Sequence, residues 1–93
     1  MSKAALISLT KVMAAEWGPD NVRANAVCPG LIKTKFSQAL WGNDRIVQQM
    51  MALQPIKRVG MPEDVAGLCL FLASNASAYC TGGVYTADGG YTI

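Results

Sequence analysis

The sequence predicts an α/β fold, one margin of a doubly wound parallel sheet, and three observations carry that expectation. Residues 2–17 show a helical stripe of Leu6, Leu9, Met13 and Trp17, and a short turn separates it from a β-prone run at 22–27. A second helix start, Pro62-Glu63-Asp64, is followed by another β-prone run at 84–87. Helix and strand alternating through short turns is the rhythm of a parallel sheet covered by helices. The two strands are expected to be neighbours joined by a right-handed crossover. The first would then carry a naked edge.

Each element has a local reason. The first helix is apolar nearly all round, which predicts burial on more than one side. Gly18-Pro19-Asp20-Asn21 stops it, glycine suiting the cap and proline preventing continuation. The strand at 22–27 is interrupted only by Arg23 and Asn25, and Cys28-Pro29-Gly30 ends it. Two short helices are expected at 36–41 and 45–53, broken by Gly42-Asn43-Asp44. The helix opened by Pro62 places proline at its first position and acids against the positive end of its dipole, and it is expected to reach about residue 74. Thr81-Gly82-Gly83 reads as a turn before the last strand.

Composition narrows the function classes. Of 93 residues, 52% are apolar and 15% charged. An average soluble domain carries roughly 25% charged residues, so part of this apolar surface is expected to face more chain or a partner subunit. A net charge of +2 without a Lys/Arg cluster points away from nucleic acid. The longest strongly apolar run, 65–73, has about half the length of a membrane span. The N-terminus has no signal-peptide pattern, and Tyr91-Thr92-Ile93 is no peroxisomal tripeptide. Cys28, Cys69 and Cys80 are odd in number and irregularly spaced, and histidine is absent. That argues against a disulfide framework or zinc, and predicts reduced, mostly buried thiols in a cytoplasmic protein.

Three stretches resemble the short-chain dehydrogenase/reductase family. They are Ser2-Lys3-Ala4-Ala5-Leu6, Pro29-Gly30-Leu31-Ile32-Lys33-Thr34, and Thr81-Gly82 with Asp88-Gly89-Gly90. Arg58-Val59-Gly60-Met61-Pro62-Glu63-Asp64-Val65-Ala66 resembles a further family stretch, read as a structural turn with Glu63 and Asp64 as capping charges. Gly83 and Ala87 depart from the usual closing strand of the family. The resemblance implies that residues 1–93 form the C-terminal part of a single Rossmann-like domain. It also implies that Met1 is an internal methionine of a longer protein, with the catalytic tyrosine four residues before Lys3 and the nucleotide-binding glycines further upstream.

Residue by residue, the resemblance assigns Lys3 as the catalytic lysine. It would hold the nicotinamide ribose and lower the pKa of the tyrosine. Read without the resemblance, Lys3 is a solvated side chain at the unfavourable end of a helix dipole. The resemblance assigns Pro29, Gly30, Ile32 and Thr34 to the cofactor, NAD or NADP in the complete enzyme. The Ile32 backbone would bond the carboxamide, and the Thr34 hydroxyl would bond the carboxamide or a phosphate. Residues 35–55 look like the substrate lid. Phe36, Leu40, Trp41, Ile46, Met50 and Met51 would either wall a pocket or pack two short helices together.

The implied activity is hydride transfer between nicotinamide and a small-molecule carbonyl or secondary alcohol, with the 93 residues inactive alone. A homo-oligomer, dimer or tetramer, is expected, with no membrane and no nucleic-acid partner. The alternative is a non-catalytic truncated fragment that serves interaction or oligomerisation.

Overall fold

The structure is a computed structural model and describes residues 2–91. Met1, Thr92 and Ile93 lie outside the described residues, and so do the readings of Met1 as internal and of the last two residues as part of a non-targeting tripeptide. The elements are α1 (Lys3–Trp17), β1 (Ala26–Pro29), α2 (Gln38–Trp41), α3 (Asp44–Leu53), α4 (Pro62–Ala73) and β2 (Val84–Ala87), with single 3-10 turns at Gly18–Asp20 and Asn75–Ser77. They divide into two compact units. One comprises residues 2–28 and 69–85, the other 29–68 and 86–91.

In the first unit, Ser2 caps α1 by accepting the Ala5 N–H at 3.1 Å. Such a cap is worth about 1 kcal/mol. The left-handed residue that ends the region is Asn21, at φ 61°, while Gly18 stays helical. Gly18 is the C-cap of α1, as expected, its N–H donating to the Ala14 carbonyl, and the left-handed step falls on Asn21, which tolerates that conformation through its short polar side chain. α1 buries Thr10 and Ala14, and Ala14 lies against Gly82, at φ 71°. Lys11 reaches the Gly82 carbonyl at 3.5 Å. Among the described residues α1 is covered on one side only. Leu6, Leu9 and Val12 are exposed.

β1 begins four residues later than expected, and the side chain of Asn25 is the reason. Its amide oxygen takes the Gly83 N–H at 3.1 Å, and its NH2 donates to the Cys80 carbonyl at 2.9 Å. The regular ladder starts only with Ala26 N–H donating to Gly83 O at 2.9 Å.

Each unit holds one end of the two-stranded sheet. The second unit contains the far end, where Gly30 N–H donates to Ala87 O at 2.9 Å. The constant offset between 26–83 and 30–87 makes the strands parallel. Even-numbered residues of β1 therefore donate toward β2. Pro29 falls at an odd position where no donor is needed, so it closes the strand from within.

α2 is two residues shorter than expected at its start, because Ser37 turns its hydroxyl backward and leaves the helix uncapped. α3 starts one residue early, on Asn43, whose side chain accepts the N–H groups of Arg45 and Ile46. Among the described residues, the first unit buries Ala14, Ala26 and Cys28 with the polar Thr10 and Ser77, and the second buries Gln54. Of the cysteines, all free, only Cys28 is buried. Cys69 is exposed, contrary to expectation, because its helix face has no cover among the described residues. No described helix is long and apolar enough to cross a membrane.

Candidate functional site

The carboxyl ends of parallel strands are where open α/β sheets bind ligands. β1 ends at Pro29, so the turn that follows, Gly30 to Thr34, is the candidate site. Its path is set by close backbone approach. A Cβ on Gly30 would lie 2.7 Å from Asp88 Cα and 2.8 Å from Asp88 Cβ, so only glycine lets the two strand ends come this near. Asp88 in turn accepts the Gly90 N–H at 2.9 Å.

Beyond Gly30 the chain pairs once more. Gly60 N–H donates to Leu31 O at 2.9 Å, and Lys33 N–H donates to Gly60 O at 2.8 Å, which forms a parallel bridge between Ile32 and Gly60. In such a bridge both polar groups of Gly60 are used on the neighbours of Ile32. The N–H and C=O of Ile32 itself therefore face away from Gly60. The carbonyl takes the Ser37 hydroxyl.

Thr34 is exposed and held by three bonds to Ser37. Its N–H donates to Ser37 Oγ at 3.0 Å, the two hydroxyl oxygens are 3.0 Å apart, and the Ser37 N–H reaches Thr34 Oγ1 at 3.3 Å. Trp41 Nε1–H donates to Thr34 O at 2.8 Å. Lys33 Nζ sits 4.7 Å from the centre of the Trp41 ring, a cation–π distance.

A cavity of about 180 Å³ lies behind the turn, bordered by Ile32, Gln54, Arg58, Gly60, Asp64 and Gly89 among others. Gln54, only 4% exposed, donates to the Ile56 and Arg58 carbonyls at 2.6 and 2.9 Å. Arg58 holds Asp64 through two bonds of 2.7 and 2.9 Å. Asp64 also accepts the Met61 N–H at 2.7 Å, the acid half of a capping box for α4. The Arg58 hydrogen bond, reinforced by that of Met61, holds the Asp64 carboxyl well below the usual carboxylate range. The same pairing raises the Arg58 guanidinium.

The second unit thus brings Pro29, Gly30, Ile32 and Thr34 into one turn. Lys3 belongs to the first unit, exposed in the opening turn of α1, immediately after its serine cap. Of the expected lid residues, Phe36 and Leu40 are exposed, and Trp41, Ile46, Met50 and Met51 are half-buried. Sequence reasoning overlooked Ser37 and Gln54. Ser37 stands three residues after Thr34, a spacing at which a hydroxyl can reach back to a backbone N–H. Gln54 carried no such signal.

Comparison with known proteins adds an independent line. A family profile described as enoyl-(acyl carrier protein) reductase matches residues 1–92. An NAD-dependent glycerol dehydrogenase of Listeria innocua is 44% identical over 92 residues, covering 99% of this chain and 36% of that protein. Human dehydrogenase/reductase SDR family member 4 is 44% identical over 90 residues, covering 97% of this chain and 32% of that one. The chain therefore spans about a third of the length of these relatives. Among solved structures, a short-chain dehydrogenase/reductase of Mycobacterium ulcerans superposes with a TM-score of 0.92 at 36% identity, over 96% of this chain and 32% of that one. A 4-hydroxyisoleucine dehydrogenase complexed with NADH gives a TM-score of 0.92 at 34% identity, over 97% and 37% of the two chains.

Proposed function

The chain belongs to the short-chain dehydrogenase/reductase family, and on that premise we propose that it is the C-terminal segment of an NAD(P)-dependent oxidoreductase acting on a carbonyl or secondary alcohol. The observation that carries this reading is the turn after β1. Ile32 directs its N–H away from its bridge partner, and two residues on an exposed threonine hydroxyl is locked in place. An outward N–H beside an oxygen two residues away is a complementary pair for a primary amide, and a nicotinamide ring carries one. The residues present fit the cofactor. Pro29 and Gly30 shape the turn, and Ile32 and Thr34 hold the carboxamide.

The bound dinucleotide supplies or accepts the hydride at nicotinamide C4. In the complete enzyme Lys3, four residues after the tyrosine and so on the same helix face, holds the ribose hydroxyls. Its charge lowers the proton affinity of the tyrosine, which protonates the carbonyl oxygen as hydride arrives or takes the alcohol proton in reverse. Residues 35–55 form the lid, whose apolar side chains exclude water from the transfer. The enzyme is cytoplasmic and homo-oligomeric.

Lys3→Ala in the complete enzyme tests this. Turnover is expected to fall by about 10²-fold or more, with little change in thermal midpoint. Undiminished turnover at neutral pH removes Lys3 from the mechanism. The 93 residues alone, which contain neither the tyrosine nor a phosphate-binding glycine loop, are inactive. NAD(P)H-dependent carbonyl reduction by the purified chain, free of host reductases, would refute that.

A second reading, a non-catalytic association fragment, is favoured by the exposed Leu6, Leu9 and Val12 of α1 and Leu70 and Phe71 of α4. It requires a defined oligomer from the purified chain with no nicotinamide affinity.

A further inference from the structure

Ser37 breaks a local rule. It occupies the N-cap position of α2, yet its side chain makes no capping bond to that helix. A serine at that position normally satisfies one of the orphan N–H groups of its own helix. Here the hydroxyl is turned back onto Ile32 and Thr34 instead.

Proton bookkeeping shows what this achieves. A serine hydroxyl has one proton to give and two lone pairs to receive. The Thr34 N–H already donates to Ser37 Oγ, so one lone pair is filled. The Ile32 carbonyl lies against the same oxygen and can only accept, so the Ser37 proton goes there. The Thr34 carbonyl, the other acceptor, lies farther away at 3.2 Å and already receives the Trp41 indole N–H. With the Ser37 proton committed, the 3.0 Å contact between the two hydroxyls is satisfied in one way only. Thr34 Oγ1–H donates to the second lone pair of Ser37. The Ser37 N–H, 3.3 Å from Thr34 Oγ1, adds a donor on the same side. The Thr34 hydroxyl therefore has no proton left to offer outward and presents a lone pair.

We infer that Ser37 is a positioning residue that sets the polarity of the candidate cofactor site. It makes Thr34 an obligate acceptor beside the Ile32 N–H donor, so that the turn reads a primary carboxamide and rejects a carboxylate. This rests on the carboxamide reading of the turn proposed above. An amide offers one oxygen to the Ile32 N–H and one N–H to Thr34. A carboxylate, which has no donor, sets oxygen against oxygen at Thr34.

The test uses the complete enzyme and two probes, NAD+ and its nicotinic-acid analogue, or the phosphorylated pair if the enzyme takes NADP+. Dissociation constants are measured by calorimetry. The wild type is expected to prefer the amide by tenfold or more. Ser37→Ala frees the Thr34 hydroxyl to rotate and donate, so the ratio falls at least about fivefold, mainly through tighter binding of the nicotinic-acid analogue. Ser37→Cys, nearly isosteric and a weak donor, gives the same relaxation if the alanine variant does not fold. Ser37→Thr keeps the hydroxyl and the preference.

A wild type that does not discriminate overturns the inference. So does an unchanged ratio in the alanine or cysteine variant, including one in which both probes weaken equally. Thr34→Ala separates the two levels. If it collapses the ratio while the Ser37 variants do not, only the role of Ser37 fails. If it leaves both constants unchanged, the carboxamide reading fails as well.

Discussion

Arg23 in the first unit and Arg58 in the second each tie a turn to the chain, but they use opposite chemistry. Arg23 is half-buried and bonds only uncharged acceptors: Ser77 Oγ at 2.9 Å and the carbonyls of Cys80 and Ser74, both at 3.3 Å. Ser77, 1% exposed, hands the network on through its single hydroxyl proton, with the Leu72 carbonyl at 2.9 Å and the Ser74 carbonyl at 3.1 Å as its acceptors. Arg58 is 55% exposed and grips one carboxylate in a two-pronged pair. A cation that satisfies carbonyls away from solvent replaces water those carbonyls would otherwise need. An exposed ion pair gives up well-hydrated charges for a contact that water and salt both weaken. The first unit's arginine should therefore be worth much more than the second's, although the second makes the shorter bonds.

The sharpest way to break that ranking is Arg23→Met, which keeps most of the apolar stem and removes the donors. Hydrogen bonds to a charged group are worth more than neutral ones, so a loss of about 3 kcal/mol is expected in the complete protein. Amide exchange over residues 74–83 should accelerate most, because that turn loses its anchor. If exchange there is unchanged, the comparison fails at its stronger member.

Gly30→Ala follows, with an effect of about 2 kcal/mol. The new methyl meets main-chain atoms of Asp88, which cannot rotate away as a side chain would. This variant shows whether the second unit is held by backbone proximity, as the geometry says, or by its surface charges. Its dinucleotide affinity should also fall, since Gly30 starts the candidate turn. Full stability and affinity in Gly30→Ala would mean that the strand ends can separate at no cost.

The two units also differ in how much of them could be read in advance. The proline start of α4 and the bounds of β2 followed from local chemistry, and the structure agrees. The misplaced starts of β1, α2 and α3 are positions where a side chain took over a backbone role. Asn25 absorbed the Gly83 N–H and delayed β1, and Ser37 withheld its cap and shortened α2. Which way a polar side chain turns depends on partners far along the chain, as 25 and 83 are, and a local pattern does not contain them. The turn at Pro29-Gly30 was visible because backbone demands on proline and glycine are local, and its extension to Thr34 came from the resemblance to the family. Gln54 and the orientation of Ser37 were not. A buried glutamine has the same sequence appearance as an exposed one, and Thr-x-x-Ser is equally a helix start.

The smallest effect belongs to the ion pair, and pH is what isolates it. Asp64 has its folded-state pKa depressed, first by the Arg58 hydrogen bond and then by that of Met61. A carboxylate with a depressed pKa adds stability that is fully present above its unfolded value, near 3.9. That stability is lost as pH falls below this value toward the folded one. Asp64→Asn should therefore lie slightly below the wild type in thermal midpoint at neutral pH, with the gap narrowing below about pH 4 and shrinking also in high salt. Arg23→Met should show a gap that depends far less on acid or salt, since none of its partners titrates there. Melting both variants between pH 3 and pH 7 reads the two arginines against each other. If the Asp64→Asn gap is larger than the Arg23→Met gap at neutral pH, or does not change with acid, the exposed pair is stronger than its surroundings should allow. The second unit would then owe its shape to charge rather than to the close approach of Gly30 and Asp88.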